Sequence, residues 1–292
     1  FQQIIDKDSQ QVIFTQRDIE DGQNIWQSMG GQHVGSIWGH GSYVAPDWTA
    51  DWVHREAEFY LNTWARREYG VNDYHRLHPE QLAALQARVT QLMRTNTYQA
   101  QSQTLILSPL RVKAIQTVGA HYAALFGNDP SPAIVYLRDV YAIPANKVPS
   151  IEDQRKLSAF FFWASWAAST NRTGESVTYT QNWPAEPLIS NQPTGSTVVW
   201  SVISFVLLLA GIGGLVWYYA ANRKNAHEEI QISDQDPLLA LKPTPSMKAT
   251  LKYFWVVMAL IVAQVGLGAI TAHYGVEGSG FYGIPLDRWL PY

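Results

Sequence analysis

The sequence predicts a mainly α-helical protein, in which an extracytoplasmic domain over residues 1–196 precedes two transmembrane helices. Three observations support this fold class. Two long apolar runs without charged residues lie at Thr197–Ala221 and Tyr253–His273. Basic residues concentrate in the segment between these runs. The first 196 residues mix polar and apolar side chains at helical spacing, as a soluble domain does.

Each apolar run is long enough to cross a membrane as a helix. At a rise of about 1.5 Å per residue, Thr197–Ala221 spans a hydrocarbon core of about 30 Å. Aromatic residues stand near both of its ends, as they do at membrane–water interfaces: Trp200, Trp217, Tyr218 and Tyr219. In the second run Gln264 is the polar residue inside, with His273 and Glu277 at the outer end. For these residues, helix packing and the lining of a polar route both stay open.

The charges around the runs predict the orientation in the membrane. The loop over 222–252 carries the basic residues Arg223, Lys224, Lys242, Lys248 and Lys252. Because basic loops stay on the cytoplasmic side, we expect this loop in the cytoplasm, and residues 1–196 and 274–292 outside. No signal peptide is visible at Phe1, and "GIPLDRWLPY" stops without a closing element, so we expect further sequence at both ends.

Helix signals dominate the first domain. Asp47 is expected to cap a helix that runs to Tyr69, where Gly70 ends it. Further helices are predicted over 79–93, 109–126 and 151–169. The apolar stretch of the last is too short to span a membrane, which predicts a buried core helix. The side chains expected on the solvent face of the Asp47 helix are Asp51, His54, Arg55 and Glu58.

The composition excludes several classes of function. The chain contains no cysteine, which excludes disulfides, thiolate metal sites, cysteine nucleophiles and thioether-linked haem. The formal net charge is −3 and no large basic cluster is visible, so we expect no nucleic-acid partner.

The segment Gly31–Glu56 is the first candidate site, because it combines histidines with carboxylates. His33 and His40 lie in a glycine-rich loop, and His54 lies on the helix that follows. Their spacing does not place two metal ligands on one helical face, so loop and capping roles are favoured over a metal site. The run "GHGSY" lacks the second glycine of a nucleophile elbow, which argues against a hydrolase.

Tryptophan is the unusual residue of this chain, which contains 12 of them. A well-filled core is one explanation, since each tryptophan buries on the order of 200 Å². The other explanation is that these rings fill the space that a flat cofactor occupies in related domains.

Several longer motifs resemble the quinol-dependent nitric oxide reductases, the single-chain branch of the haem-copper oxidase superfamily. In chain order they are "GSIWGHGSYVAPDWTADWVHRE", "AFFFWASWAAS", "YTQNWPAEPLI", "SVISFVLLLAGIGGLVW" and "ITAHYGVEGSGFYGI". The resemblance implies that the first domain has a cytochrome c-like fold without haem. It also implies a location in the bacterial inner membrane, with this domain on the periplasmic side.

A haem-binding pattern from the separate cytochrome chain of related reductases aligns with Gly31–Asp47 in this resemblance. The two cysteines of the pattern fall on Gly31 and Val34, and its haem-binding histidine falls on Gly35. The resemblance therefore implies that no haem c is bound. It further implies that Gly41 and Tyr43 bind a structural calcium ion, for which oxygen donors are suitable.

The same resemblance implies the reduction of two NO to N₂O and water, with electrons from a membrane quinol. Haem b and non-haem iron would be held by later helices, so no catalytic or cofactor-binding residue is expected within residues 1–292. The implied partners are membrane lipid, quinol, NO and the catalytic transmembrane bundle, with a homodimer among the expected assemblies. The alternatives are a membrane-anchored extracytoplasmic binding or sensor domain, and an accessory subunit of a respiratory complex.

Overall fold

The computed structural model describes residues 1–42, 45–224 and 242–277. Phe1–Thr194 form one compact unit, and Gly195–Ala269 form a second. The predicted calcium ligand Tyr43 lies outside the described residues. So do residues 225–241 of the predicted cytoplasmic loop and residues 278–292.

Most of the first unit is helical. Its helices are α1 (Gln16–Ser28), α2 (Trp48–Tyr69), α3 (Pro79–Arg94), α4 (Pro109–Phe126), α5 (Pro132–Val140) and α6 (Ile151–Ser169). Its strands are β1 (Gln3–Asp6), β2 (Val12–Thr15), β3 (Ser36–Ile37), β4 (His40–Gly41), β5 (Tyr98–Gln99) and β6 (Thr104–Leu107). The second unit contains α7 (Gly195–Lys224) and most of α8 (Pro245–Glu277).

The predicted fold class is confirmed, because helices dominate and two of them are long and apolar enough to cross a membrane. The stretches that meet this requirement are Gly195–Asn222 in α7 and Pro245–Leu267 in α8. Gln264 lies exposed on α8 in this unit. Its function, and the functions of His273 and Glu277, stay predictions.

A small sheet and the helices α1 and α5 of the first unit are absent from the sequence prediction. The sheet has the strand order β2-β1-β6-β5, with β1 parallel to β6 and the other pairs antiparallel. Its strands are at most four residues long, too short for an alternating pattern to stand out. Helix α1 begins with a reciprocal capping box of Thr15 and Asp18.

The helix ends lie at capping residues that the sequence already shows. The Asp47 Oδ1 atom accepts a hydrogen bond from the Ala50 N–H at 3.0 Å and thereby caps α2. Ser108 caps α4 in the same way. Gly70, at a φ of 69°, ends α2 in the left-handed conformation. These predicted helix ends are confirmed.

Helix α6 is the centre of the first unit. It packs against α1, α2 and α4, and between Leu157 and Ser169 every side chain except Trp163 is buried. A helix that is apolar on all sides is stable in water only when other elements cover it. The prediction of a buried core helix at this place is therefore confirmed.

A buried ion pair joins α2 to α4. Glu56 and Arg111 have side chains that are 1% and 4% exposed, and the Arg111 Nε donates to Glu56 Oε1 at 2.9 Å. The Glu56 carboxylate also accepts hydrogen bonds from Trp52 Nε1 at 3.2 Å and from the Tyr60 hydroxyl at 3.1 Å. Burial, followed by the nearby negative charge of Glu56, raises the pKa of Tyr60 well above its usual value. These contacts offset the high cost of removing a carboxylate from water.

The predicted solvent face of α2 is wrong at Asp51. The Asp51 side chain is only 15% exposed, and its Oδ2 atom accepts from the buried Tyr122 hydroxyl at 2.6 Å and from Arg55 Nε at 2.8 Å. A polar residue predicted on the solvent face of a helix is buried instead when a neighbouring helix provides a hydrogen-bond partner for it. Here α4 offers Tyr122, which lies 71 positions further along the chain.

We predict that the Glu56→Gln substitution lowers the unfolding free energy of the first domain by about 3 kcal/mol. The substitution keeps the shape of the side chain but leaves the buried Arg111 charge without its counter-ion. Thermal and denaturant unfolding of the detergent-purified protein, followed by tryptophan fluorescence, measures this loss.

The matched control is Glu68→Gln, which breaks the partly exposed pair of Glu68 with Arg88. A pair at the surface contributes at most about 1 kcal/mol, so this variant should stay close to wild type. Equal losses in the two variants would contradict the assignment of Glu56 as a structural anchor.

Candidate functional site

The loop between α1 and α2 is the candidate site. It contains a 3₁₀ turn at Gly31–His33 and the β3–β4 hairpin, and it ends at Asp47. The Asp47 Oδ2 atom accepts hydrogen bonds from Ser36 Oγ at 2.8 Å and from the Gly39 N–H at 2.6 Å, while Oδ1 caps α2. One carboxylate thus fixes both the hairpin and the start of the helix.

Two glycines of this loop lie directly against tryptophan rings. A Cβ atom built on Gly31 would lie 2.3 Å from Trp26 Cε2, and one built on Gly35 would lie 2.3 Å from Trp48 Nε1. Both distances are far shorter than a van der Waals contact. Gly35 also has a φ of 136°, which favours glycine. Neither position accepts a larger side chain while these indoles keep their places.

Trp48 is the centre of the aromatic core that covers this loop. Its ring is fully buried and lies 6.1 Å from the ring of Phe161, at an interplanar angle of 16°. Trp26, Tyr122 and Phe126 meet it edge-on, at centroid distances of 5.4 to 6.4 Å. Such contacts explain the buried tryptophans of the first unit as core packing, and they place two indoles directly behind Gly31 and Gly35.

Trp38 is the strained residue of the loop. Its φ of 53° lies in the left-handed region, which a bulky side chain rarely adopts. Its backbone N–H donates to Thr49 Oγ1 at 3.2 Å, and its Nε1 donates to the Ala164 carbonyl at 2.9 Å. These two bonds hold the indole against α6. The sequence shows no signal for this conformation beyond the adjacent Gly39.

The three histidines of the segment are not brought together. His33 and His40 are exposed, and His40 Nδ1 lies 3.1 Å from the Trp38 carbonyl oxygen. His54 Nδ1 lies 3.1 Å from Glu186 Oε2 and joins α2 to the loop before α7. Within residues 1–42, 45–222 and 242–267, no three histidines, cysteines or carboxylates form a group that could hold a metal ion.

Polar residues of α4 extend the network behind the loop. Burial, and then the nearby Asp51 carboxylate, raise the pKa of Tyr122 well above its usual value. Burial lowers the pKa of His121 to about 4, and the positive charge of Arg55 acts in the same direction. His121 is therefore uncharged at neutral pH. Its Nε2 atom has no hydrogen-bond partner among the described residues.

The predicted calcium residue Gly41 lies in β4, with a φ of 143°. A Cβ atom at this position would lie 2.3 Å from the Gly35 carbonyl oxygen, so the hairpin requires a glycine here. The residue itself is exposed. Its function as a calcium ligand stays a prediction, since nothing in the described residues tests it.

We predict that Gly31→Ala destabilises the domain by about 2 kcal/mol or more. The added methyl group overlaps the Trp26 ring and the Trp26 backbone carbonyl, and overpacking in a dense core costs about 1–3 kcal/mol. Denaturant unfolding monitored by tryptophan fluorescence measures the loss.

Gly119→Ala on α4 is the matched control. The nearest atom to its added Cβ is Ser158 Oγ at 3.4 Å, an ordinary contact. Alanine also favours the helix by up to about 1 kcal/mol, so this variant should be neutral or more stable. A Gly31→Ala protein as stable as the Gly119→Ala protein would refute the close packing at the loop.

Comparison with known proteins identifies the domain that carries this loop. No curated protein sequence matches the chain. The family model of the NorB cytochrome c-like domain of nitric oxide reductase matches residues 2–185, which is more than half of the chain. This match covers the whole aromatic core, the loop and the buried network of α2 and α4. The chain therefore belongs to the NorB cytochrome c-like domain family of the nitric oxide reductases.

Proposed function

We propose that the chain is the N-terminal part of a membrane nitric oxide reductase that takes its electrons from a quinol. In this proposal the first domain binds no haem and has a structural function. The observation that carries the proposal is the loop Gly31–Asp47. It belongs to a cytochrome c-like domain, yet it has glycines packed against indoles at the positions where a c-type haem needs ligands.

The residues present do not fit a c-type haem. Covalent attachment needs cysteine thiolates, and the chain has no cysteine. In the alignment of the haem-binding pattern, Gly31 and Val34 replace the cysteines and Gly35 replaces the histidine. The Trp26 and Trp48 rings occupy the space beside two of these positions. Restoring the ligands would require moving the centre of the core.

A domain without haem suits an enzyme whose electrons come from within the membrane. The overall reaction is 2 NO + QH₂ → N₂O + H₂O + Q, in which the quinol supplies both electrons and both protons. Electrons that come from the bilayer need no external carrier, so the domain needs no redox group. The two helices that are able to cross a membrane support this arrangement.

Catalysis would then take place outside residues 1–292. We propose that haem b and non-haem iron are held by further transmembrane helices, since the apolar runs contain no histidine apart from His273 at the very end of the second. These metals would supply the electron transfer and NO binding. The first domain, on the periplasmic side of a bacterial inner membrane, would cover the outer face of that bundle.

The test compares membranes from the host with and without the gene that encodes this chain. Intact membranes should consume NO with a reduced quinol and release one N₂O for every two NO, measured with an NO electrode and gas chromatography. Deletion should abolish this activity, and a complementing copy should restore it.

Reduced cytochrome c serves as the control donor in the same membranes. The proposal expects it to support little NO consumption, because the domain has no haem to receive its electrons. NO consumption driven by cytochrome c as fast as by quinol would overturn the quinol assignment. Unchanged quinol-driven activity after deletion would overturn the reductase assignment.

We propose further that Gly41 and Tyr43 contribute to a calcium site between this domain and the catalytic bundle. A backbone carbonyl and a phenol oxygen are hard donors of the kind that Ca²⁺ prefers. Because two ligands are too few for calcium, the remaining ligands would come from the bundle. Such a site would attach the domain to the membrane part through calcium coordination.

Tyr43→Phe should weaken calcium binding by the intact reductase by about tenfold or more, since even the outer partners of metal ligands have effects of this size. Calcium per protein, measured by mass spectrometry after dialysis at graded free calcium, gives the affinity. Tyr69→Phe removes a hydroxyl from a partly exposed tyrosine at the end of α2 and is the matched control. Equal calcium affinity in the two variants would refute the proposed ligand.

A further inference from the structure

An aromatic cleft lies beside the candidate loop. It has a volume of about 250 Å³, and Trp26, Trp38, Phe160 and Trp163 form its walls. Among the described residues, none with a charged carboxylate, ammonium or guanidinium group lines it. A cleft of this size lies below the range usual for drug-sized ligands and suits a single ring. His40 is the titratable residue of the lining, and the lack of permanently charged groups argues for a neutral ligand.

The rim of this cleft carries free hydrogen-bonding groups. The side chains of Gln23, Gln27 and Gln32 stand around the aromatic walls. Within the described part of the chain, none of their amides has a side-chain hydrogen bond. Each amide offers both donors and an acceptor, so together they suit a ligand that carries several hydroxyl groups.

The angle between the walls distinguishes a puckered ring from a flat one. The rings of Trp38 and Trp163 are 5.5 Å apart and inclined at 52° to each other. At this separation the two indoles touch each other and form one bent wall, so a flat ligand can lie along only one of the two rings. A saturated ring can direct C–H groups at both, and the electron-rich face of an indole attracts such groups.

The site is held ready by backbone strain. Trp38 keeps its left-handed φ of 53° because Thr49 and Ala164 hold its backbone and its indole. Asp47 holds the next residue through the Gly39 N–H at 2.6 Å. Strain of this kind is found at ligand-binding positions, where a fixed geometry reduces the entropy lost on binding. The two-residue turn of the β3–β4 hairpin needs a positive φ at both Trp38 and Gly39 (φ of 80°), so the hairpin fixes the indole in this place.

We propose that this cleft binds one neutral sugar ring, such as a hexose or N-acetylhexosamine unit of a glycan. The tilted indoles receive the C–H faces of the ring, and the three glutamine amides bond its hydroxyl or acetamido groups. This binding involves neither NO reduction nor the calcium ligands. A glycan at this place would position the domain against carbohydrate outside the membrane.

The test uses the detergent-purified full chain with glucose and N-acetylglucosamine as probes. Tryptophan fluorescence titration should give a dissociation constant on the order of 1 mM for at least one probe, as expected for so small a ligand. Saturation-transfer NMR should show transfer to the ring C–H protons. Absence of both signals up to about 100 mM sugar would overturn the proposal.

Variants locate the site. Trp163→Leu should weaken binding by about tenfold or more, and Gln27→Ala by about threefold or more. Gln116→Ala, on the exposed surface of α4 and outside this cleft, is the matched control and should bind like wild type. Near-UV circular dichroism of each variant confirms that the core is intact. If the cleft variants bind sugar like the control, the assignment of sugar binding to this cleft is refuted.

Menadione, a flat uncharged quinone, discriminates between ligand classes. The tilted walls predict that it competes poorly with the sugar. Saturable binding of menadione that is lost in Trp163→Leu, without any sugar binding, would overturn the saccharide assignment in favour of a planar ligand.

Discussion

The packing of the Trp26 and Trp48 indoles against bare glycine backbone is the interaction on which the rest of the first domain depends. Trp48 fills the centre of the core, where Phe161, Phe126 and Tyr122 surround it. That position is available only because Gly35 has no side chain, and the bare Gly31 likewise leaves room for the Trp26 ring. In a core packed as densely as a crystal, a ring and a side chain cannot share the same space.

This constraint links the loop, the core and the proposed function. Once the indoles occupy the space beside the loop, haem ligands cannot stand at Gly31 and Gly35. In the proposed function the loop is structural, and Asp47 holds it as a rigid cap of α2. A rigid loop next to a fixed core is a suitable support for weak, specific contacts. Both the proposed calcium ligands and the proposed sugar cleft depend on it.

Much of the fold could be predicted from local sequence. Asp47, Ser108 and Gly70 mark helix ends through bonds made within a few residues, and such signals survive any tertiary arrangement. The apolar runs of α7 and α8 are equally local. The four-stranded sheet could not be predicted from the sequence, because β1 pairs with a strand about 100 positions away and both are only four residues long.

The features of the candidate site also divide into those that follow from local sequence and those that depend on tertiary contacts. The sequence by itself determined the helical fold class, the two apolar runs, the absence of thiolate chemistry and the glycine-rich loop, since each follows from residue type and spacing. Only the tertiary structure decided that Glu56 is a buried anchor paired with Arg111, that Asp51 turns inward to Tyr122, and that Trp38 is strained. These facts depend on groups brought together from distant positions, and a local pattern contains no information about which distant partner will supply a charge, a hydroxyl or a ring.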